Sequence, residues 1–174
     1  ESSSSTQVFV TAASFGPGGD YVLINYEDHL LSIWETVSGK LIWNWSGSSS
    51  QDAVPATFAY DHFSPNSKRI AMFSPFYGDT VTKTTGPVIY ENKNQRPVFT
   101  LKGHKDYVSS LCFSTDGKYI VTASADSTLK TWNAANGKMI AYIRFKTDSV
   151  KVWQGIPGGR SVLILVKGVA RIVD

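Results

Sequence analysis

The strongest constraint on the fold is that the chain repeats itself. Shifting the sequence by 98 positions aligns its first part with its third part without a gap. The matched pairs include Phe15 with Phe113, Tyr21 with Tyr119, Trp34 with Trp132, Gly39 with Gly137 and Lys40 with Lys138. A match held over so long a span predicts that both parts fold as the same supersecondary unit.

The clearest copy of this unit occupies residues 101–140. Its strand-forming runs, one of which contains Leu111 and Phe113, are separated by turn signals at Asp116-Gly117, Asp126-Ser127 and Asn136-Gly137. Short β-rich runs at such close spacing are typical of an antiparallel meander. The unit is therefore predicted to be a sheet of four consecutive strands.

Two further copies are less regular. Phe63-Ser64 matches Phe113-Ser114 at an offset of 50, but insertions at residues 47–55 and 75–85 interrupt this second copy. The fourth copy is shorter, and three strands are predicted for it. After a flexible lead-in at residues 1–6, we expect a partial propeller over residues 7–174. Its four repeats are expected at residues 7–46, 56–101, 102–145 and 147–174.

The third copy opens with Gly103-His104 and closes with Trp132-Asn133, and this frame resembles the WD40 repeat. The resemblance implies an all-β protein, a β-propeller of about four four-stranded blades whose last blade is incomplete. Family rings usually have seven or eight blades. Three arrangements stay open: a piece of a longer propeller, a ring completed by a second copy, and a closed four-bladed ring.

The resemblance also implies a structural role for four residues: His104, Ser124, Asp126 and Trp132. In the family's tetrad, His104 donates a proton to Asp126 and bonds the Ser124 hydroxyl, which accepts from the Trp132 indole. A histidine, a serine and an aspartate also suggest a hydrolase triad. Their spacing follows the repeat and no nucleophile elbow is present, so we expect no catalytic residue and no enzyme activity.

WD40 propellers bind peptides or protein surfaces through loops at one rim, and this resemblance implies a protein-interaction scaffold. The partner-binding candidates are Lys105, Asp106, Tyr107 and Ala125 in the third copy and Glu27 in the first. Tyr107 is the best anchor, because aromatic residues dominate interface energetics. Packing of Tyr107 between blades is an equally open interpretation. The expected partner is a protein or peptide within a multiprotein complex.

Charge suggests an alternative function. The net charge of +3 is too small to indicate nucleic-acid binding by itself. The last third is nevertheless basic, and a nucleic-acid or phosphate-binding propeller is the runner-up interpretation. The basic residues concerned are Lys146, Lys151, Arg160, Lys167 and Arg171. A regulatory propeller within a larger multidomain protein is a further alternative.

The remaining signals concern metals, redox state and membranes. His29 and His62 have no Cys or acidic neighbour at ligand spacing, so neither a metal nor a cofactor is expected. Cys112 is the single cysteine and is interpreted as a buried small hydrophobe. An intracellular location, cytoplasmic or nuclear, is expected because one cysteine forms no intrachain disulfide. No apolar run reaches 18 residues, so no transmembrane helix is predicted.

Overall fold

A computed structural model of the chain describes residues 9–26, 30–46, 63–72, 86–147, 150–155 and 161–173. The first sheet of this part contains β1 (Val10–Phe15), β2 (Tyr21–Tyr26), β3 (Leu30–Glu35) and β4 (Leu41–Ser46). The second contains β5 (Arg69–Met72), β6 (Val88–Glu91) and β7 (Arg96–Thr100). The third contains β8 (Val108–Phe113), β9 (Tyr119–Ser124), β10 (Thr128–Asn133) and β11 (Met139–Arg144). The fourth contains β12 (Val150–Gly155), β13 (Val162–Val166) and β14 (Val169–Val173).

The all-β class and the four-blade architecture are confirmed. Each sheet is an antiparallel meander whose strands pair in chain order. A bulge recurs between the third and fourth strands of the first three copies, next to Trp34, Tyr90 and Trp132. A bulge places two residues opposite one and bends the strand locally. Its recurrence shows that the three copies share one strand geometry, which the repeated sequence predicts.

The second copy is the least regular of the described sheets. Where the third copy has its first strand, the described part of the second has an isolated bridge between Phe63 and Ile70. The two insertions at residues 47–55 and 75–85 and the lead-in at residues 1–6 lie outside the described residues. The fourth sheet has three strands, the number expected from its sequence.

The sheets stack face to face in chain order, and a separate apolar core fills each of three interfaces. The core between the first and second sheets includes Leu23, Ile33, Phe63 and Ile70. The core between the second and third includes Ala71, Ile89, Phe113 and Trp132. The core between the third and fourth includes Cys112, Val121, Val152 and Ile164. Cys112 is fully buried there, so its thiol packs as a small apolar group.

One glycine sits at a close approach between the second and third sheets. Gly137, in the turn between β10 and β11, has a φ of 72°. A Cβ atom there would lie 2.5 Å from Cδ2 of Phe99 on β7. Gly39 holds the matching place in the first copy with a φ of 65°, but a Cβ atom there meets nothing within 4 Å.

Alanine substitutions at these two glycines distinguish the cost of backbone strain from the cost of a clash between sheets. Gly39→Ala should lower the free energy of unfolding by about 1 kcal/mol, the cost of a left-handed conformation for alanine. Gly137→Ala should cost about 1–3 kcal/mol more, because the added methyl group overpacks the contact with Phe99. Urea denaturation measures both values, and equal losses would show that the second and third sheets do not meet at Gly137.

Candidate functional site

A buried histidine joins the two loops at one end of the third sheet. His104 lies between β7 and β8 and is 3% exposed. Its Nδ1 is 3.0 Å from Oδ2 of Asp126, in the turn between β9 and β10. The structure therefore brings these two predicted residues together and links the two loops through their side chains.

The predicted role of Ser124 is wrong, because the hydroxyl between the histidine and the tryptophan belongs to Thr122. Thr122 Oγ1 is 2.7 Å from His104 Nε2 and accepts a hydrogen bond of 2.8 Å from Trp132 Nε1. Ser124 instead donates to the Asp106 carbonyl at 3.0 Å and accepts from the backbone N–H of Asp126 at 3.1 Å.

Strand register explains this correction. Trp132 on β10 pairs with Ile120 on β9, and Lys130 pairs with Thr122. Thr122 is thus the diagonal neighbour of Trp132, within reach of its indole. Ser124 is two residues farther along β9 and ends the strand. Counting the register back from the tight turn at Asp126-Ser127 is the sequence signal that identifies Thr122.

The imidazole of His104 is held neutral. Burial lowers the pKa of His104 below its usual value, and the nearby Lys130 ammonium lowers it further, while the hydrogen bond to Asp126 opposes the shift. With the proton on Nδ1 donated to Asp126, Nε2 accepts from the Thr122 hydroxyl, whose oxygen accepts from Trp132. Every member of the buried chain is satisfied by this tautomer.

Asp126 connects this chain of hydrogen bonds to the loop that follows His104. Its carboxylate accepts hydrogen bonds from the Thr128 hydroxyl at 2.5 Å, the Thr128 N–H at 2.9 Å and the Lys105 N–H at 2.7 Å. Burial alone would raise the pKa of Asp126, but the bonds from Thr128, Lys105 and His104 outweigh burial and hold the pKa well below its usual range. An ionised carboxylate thus fixes the backbone that follows His104.

The partner-binding candidates of the third copy lie together around this loop. The side chains of Lys105 and Asp106 are exposed, Tyr107 is 52% exposed and Ala125 is half-buried. The Ala125 N–H donates to the Tyr107 carbonyl at 3.0 Å, which ties the two loops through their backbones. Glu27, the candidate from the first copy, lies outside the described residues.

The first copy satisfies its tryptophan differently. The Trp34 indole donates to the Ser32 hydroxyl at 2.7 Å, and the Tyr26 hydroxyl lies 3.0 Å from the same oxygen. Ser32 is on the same strand as Trp34, whereas Thr122 is on the strand next to Trp132. Sequence reasoning missed this cluster, although a serine two residues before a tryptophan on one strand shares its face.

The basic residues of the last third do not form one patch. Lys146, Lys151, Lys167 and Arg171 are exposed, and Arg160 lies outside the described residues. Arg171 pairs with Ile164, a residue buried against the third sheet, whereas Lys151 pairs with Leu165. Neighbouring positions on a strand face opposite ways, so these two cations lie on opposite faces of the fourth sheet.

The described ranges show neither a metal-binding cluster nor a membrane-spanning helix. Their residues contain no group of three or more His, Cys, Asp or Glu side chains placed to hold a metal ion. They also contain no helix with the length and apolar character needed to cross a membrane.

Comparison with protein families matches residues 95–133 to the WD40 model, described as a WD domain, G-beta repeat. Ribosome assembly protein 4 of Saccharomyces cerevisiae is 41% identical over 49 residues, or 28% of this chain and 10% of that protein. Nuclear distribution protein PAC1 of Candida albicans is 35% identical over 57 residues, 33% of this chain and 12% of that protein. The matched segments thus span about a tenth of these relatives.

Solved structures extend the likeness to nearly the whole chain. U3-55K superposes with a TM-score of 0.61 and 19% identity, covering 95% of this chain and 52% of that one. The WD40 repeats of RRP9 give 0.62 and 19%, covering 95% and 51%. The computationally designed protein Ika4 gives 0.62 and 17%, covering 99% and 94%. At these identities the likeness concerns the fold.

Removing the hydroxyl of Thr122 tests the buried chain. Thr122→Val should lower the free energy of unfolding by about 1–3 kcal/mol, because the Trp132 N–H and His104 Nε2 both lose their buried partner. Thr131→Val, in the neighbouring strand, is the control and should cost less than about 0.5 kcal/mol. Equal urea midpoints for the two variants would contradict the assignment of Thr122.

The lowered pKa of His104 predicts a pH dependence. The unfolded chain binds a proton at His104 below about pH 6.5, whereas the folded chain takes it up only at lower pH. The unfolded state binds more protons in this window, so stability falls as the pH drops through it. Between pH 7.5 and 5.5 the loss from this group is at most about 1.4 kcal/mol.

His104→Gln should remove this part of the pH dependence. Asp126 contributes little between pH 7.5 and 5.5, because the bonds from Thr128 and Lys105 still hold its pKa below the usual range. Urea denaturation at the two pH values measures the loss for each protein. The same loss in the variant and the unmodified chain would show that His104 titrates alike in both states.

Proposed function

Since this chain belongs to the WD40-repeat family of β-propeller proteins, we propose that it is a non-catalytic scaffold that binds a peptide or a protein surface. The binding residues are those of the rim loop, which we define as residues 105–107, with Ala125 beside it. The observation that carries this proposal is the exposed Tyr107 on a backbone fixed from within the blade.

Three consecutive residues of the rim loop are held by their backbones. The Lys105 N–H donates to Asp126, the Asp106 carbonyl accepts from Ser124, and the Tyr107 carbonyl accepts from the Ala125 N–H. A loop ordered before binding loses little conformational entropy when a partner arrives. This arrangement supports recognition by side chains that project from a rigid backbone.

The chemistry of the rim loop suits a protein partner. Tyr107 supplies an aromatic anchor, and Lys105 and Asp106 supply one charge of each sign beside it. Protein interfaces commonly place aromatic residues at the centre and polar residues around them. Adjacent opposite charges give no field that favours a polyanion, which supports a peptide or protein surface over nucleic acid.

The geometry of the polar residues supports a non-catalytic role. Both ring nitrogens of His104 are engaged in hydrogen bonds, and the ring is buried. The Ser124 hydroxyl donates to a backbone carbonyl. A nucleophile activated by a base requires a direct hydrogen bond between the two. Among the described contacts no such bond joins Ser124 to His104, and the Thr122 hydroxyl that does bond His104 Nε2 is fully buried, out of reach of a substrate.

The names of the similar proteins support an intracellular location and a role in a multiprotein complex. Their names describe a ribosome assembly protein and a nuclear distribution protein. We therefore place the scaffold inside the cell, cytoplasmic or nuclear, as one component of a multiprotein complex. Nucleic-acid binding through the last third has weaker support, because Lys151 and Arg171 lie on opposite faces of their sheet.

A peptide-display selection tests the rim loop directly. Peptides enriched on the unmodified chain should bind Tyr107→Ala at least about tenfold more weakly, as expected for an aromatic hot spot. Tyr142→Ala is the matched control, because Tyr142 is a comparably exposed tyrosine (60%) on β11. Its peptide affinities should remain unchanged.

Circular dichroism on both variants shows whether the fold is kept. If no peptide is enriched, or if the two tyrosine variants bind the enriched peptides equally well, the rim loop is not the recognition surface.

A further inference from the structure

An open cleft of 620 Å³ lies between the second and third blades, at the end opposite the rim loop. Its walls come from the turn before β5 and the turn between β8 and β9. In an antiparallel meander the turn between β8 and β9 and the turn between β9 and β10 lie at opposite ends of the sheet. The cleft is therefore separate from the surface proposed above, and its volume falls within the range of about 300–1,000 Å³ that is typical of ligand sites.

The two walls are built by the same turn, used twice. In the third blade, Ser114 donates to Asp116 at 2.7 Å, and Asp116 accepts from the Lys118 N–H at 3.0 Å. In the second blade the matching bonds join Ser64 to Asn66 at 2.8 Å and Lys68 to Asn66 at 3.1 Å. Each turn thus presents a lysine at the same place.

The repeated turn gives this cleft its positive charge. Lys68, Arg69 and Lys118 line it together with the single carboxylate of Asp116, which forms an exposed ion pair with the Lys118 ammonium at 3.6 Å. In the first copy the corresponding turn has Asp20 at the lysine position. The first turn therefore carries an aspartate where the second and third carry lysines, and the second and third turns place two lysines around one opening.

The cleft is also held rigidly. Arg69 donates to the Ala134 carbonyl of the third blade, and its guanidinium lies 5.7 Å from the centre of the Phe99 ring. Arg69 thereby connects the second blade to the third at the base of the opening. A cationic site with fixed walls needs little reorganisation to receive an anion.

We propose that this cleft binds an acidic peptide segment, with its carboxylates at Lys68 and Lys118. Pro65, Phe113 and Tyr119 supply apolar lining that contacts the methylene groups of glutamate side chains or their apolar neighbours. Asp116 disfavours a nucleic-acid backbone, whose phosphates are closely spaced and all negative. A peptide can place its carboxylates at the lysines and a neutral residue beside Asp116.

Fluorescence anisotropy of a labelled peptide of alternating glutamate and alanine residues with the full chain tests this proposal at low ionic strength. The double variant Lys68→Gln and Lys118→Gln should raise the Kd about tenfold through loss of two charge pairs. The control Lys93→Gln and Lys102→Gln removes the same charge from exposed positions outside the cleft and should leave the Kd within about twofold.

A second variant tests the carboxylate without disturbing the turn. Asn66 already makes the same bonds as Asp116, so Asp116→Asn should preserve the turn and tighten peptide binding about two- to threefold. A labelled six-nucleotide oligouridylate is the competing probe. Tighter binding of this oligonucleotide than of the peptide, equal weakening by both lysine pairs, or no peptide binding would overturn the proposal.

Discussion

The buried hydrogen-bond chain from Trp132 to Asp126 is the interaction on which the organised end of the third blade depends. It links β9, β10 and two loops through Thr122 and His104, all within the packed interior. In the packed interior an unpaired donor or acceptor costs free energy, so each bond of the chain stabilises the next. Because Asp126 also accepts from the Lys105 N–H, order in the core extends to the exposed loop that carries Tyr107.

The third blade presents a different surface at each of its ends. The rim loop combines an aromatic side chain with charges of both signs, whereas the cleft at the opposite end combines lysines with apolar walls. The first depends on a chain of bonds that, among the described residues, is found in the third copy. The second depends on a turn that two copies share, with Asn66 and Asp116 making the same bonds. The two ends of the third blade therefore differ in chemistry, because the residues of the rim loop differ between copies whereas the turn at the cleft is repeated.

Much of the fold follows from sequence because its units are local. The predicted turns at Asp116-Gly117, Asp126-Ser127 and Asn136-Gly137 fall between β8 and β9, between β9 and β10, and between β10 and β11. The candidate site follows only in part. His104, Asp126 and Trp132 meet, but the hydroxyl between them is that of Thr122 and not of Ser124. Both residues share one face of β9, and composition does not distinguish them. The strand register distinguishes them, because Thr122 is the diagonal neighbour of Trp132 and Ser124 lies two residues farther along β9.

The sequence by itself determined the repeat, the meander of strands and the positions of the turns, since each depends on residues within a few places of one another. The tertiary structure alone decided which residues of different sheets come into contact. Gly39 and Gly137 hold equivalent turns with nearly equal φ angles, yet only Gly137 lies against Phe99. Likewise Lys68 and Lys118 are fifty positions apart and line one cleft. Contacts of this kind arise from the stacking of one sheet on the next, which brings together residues whose separation along the chain carries no local signal.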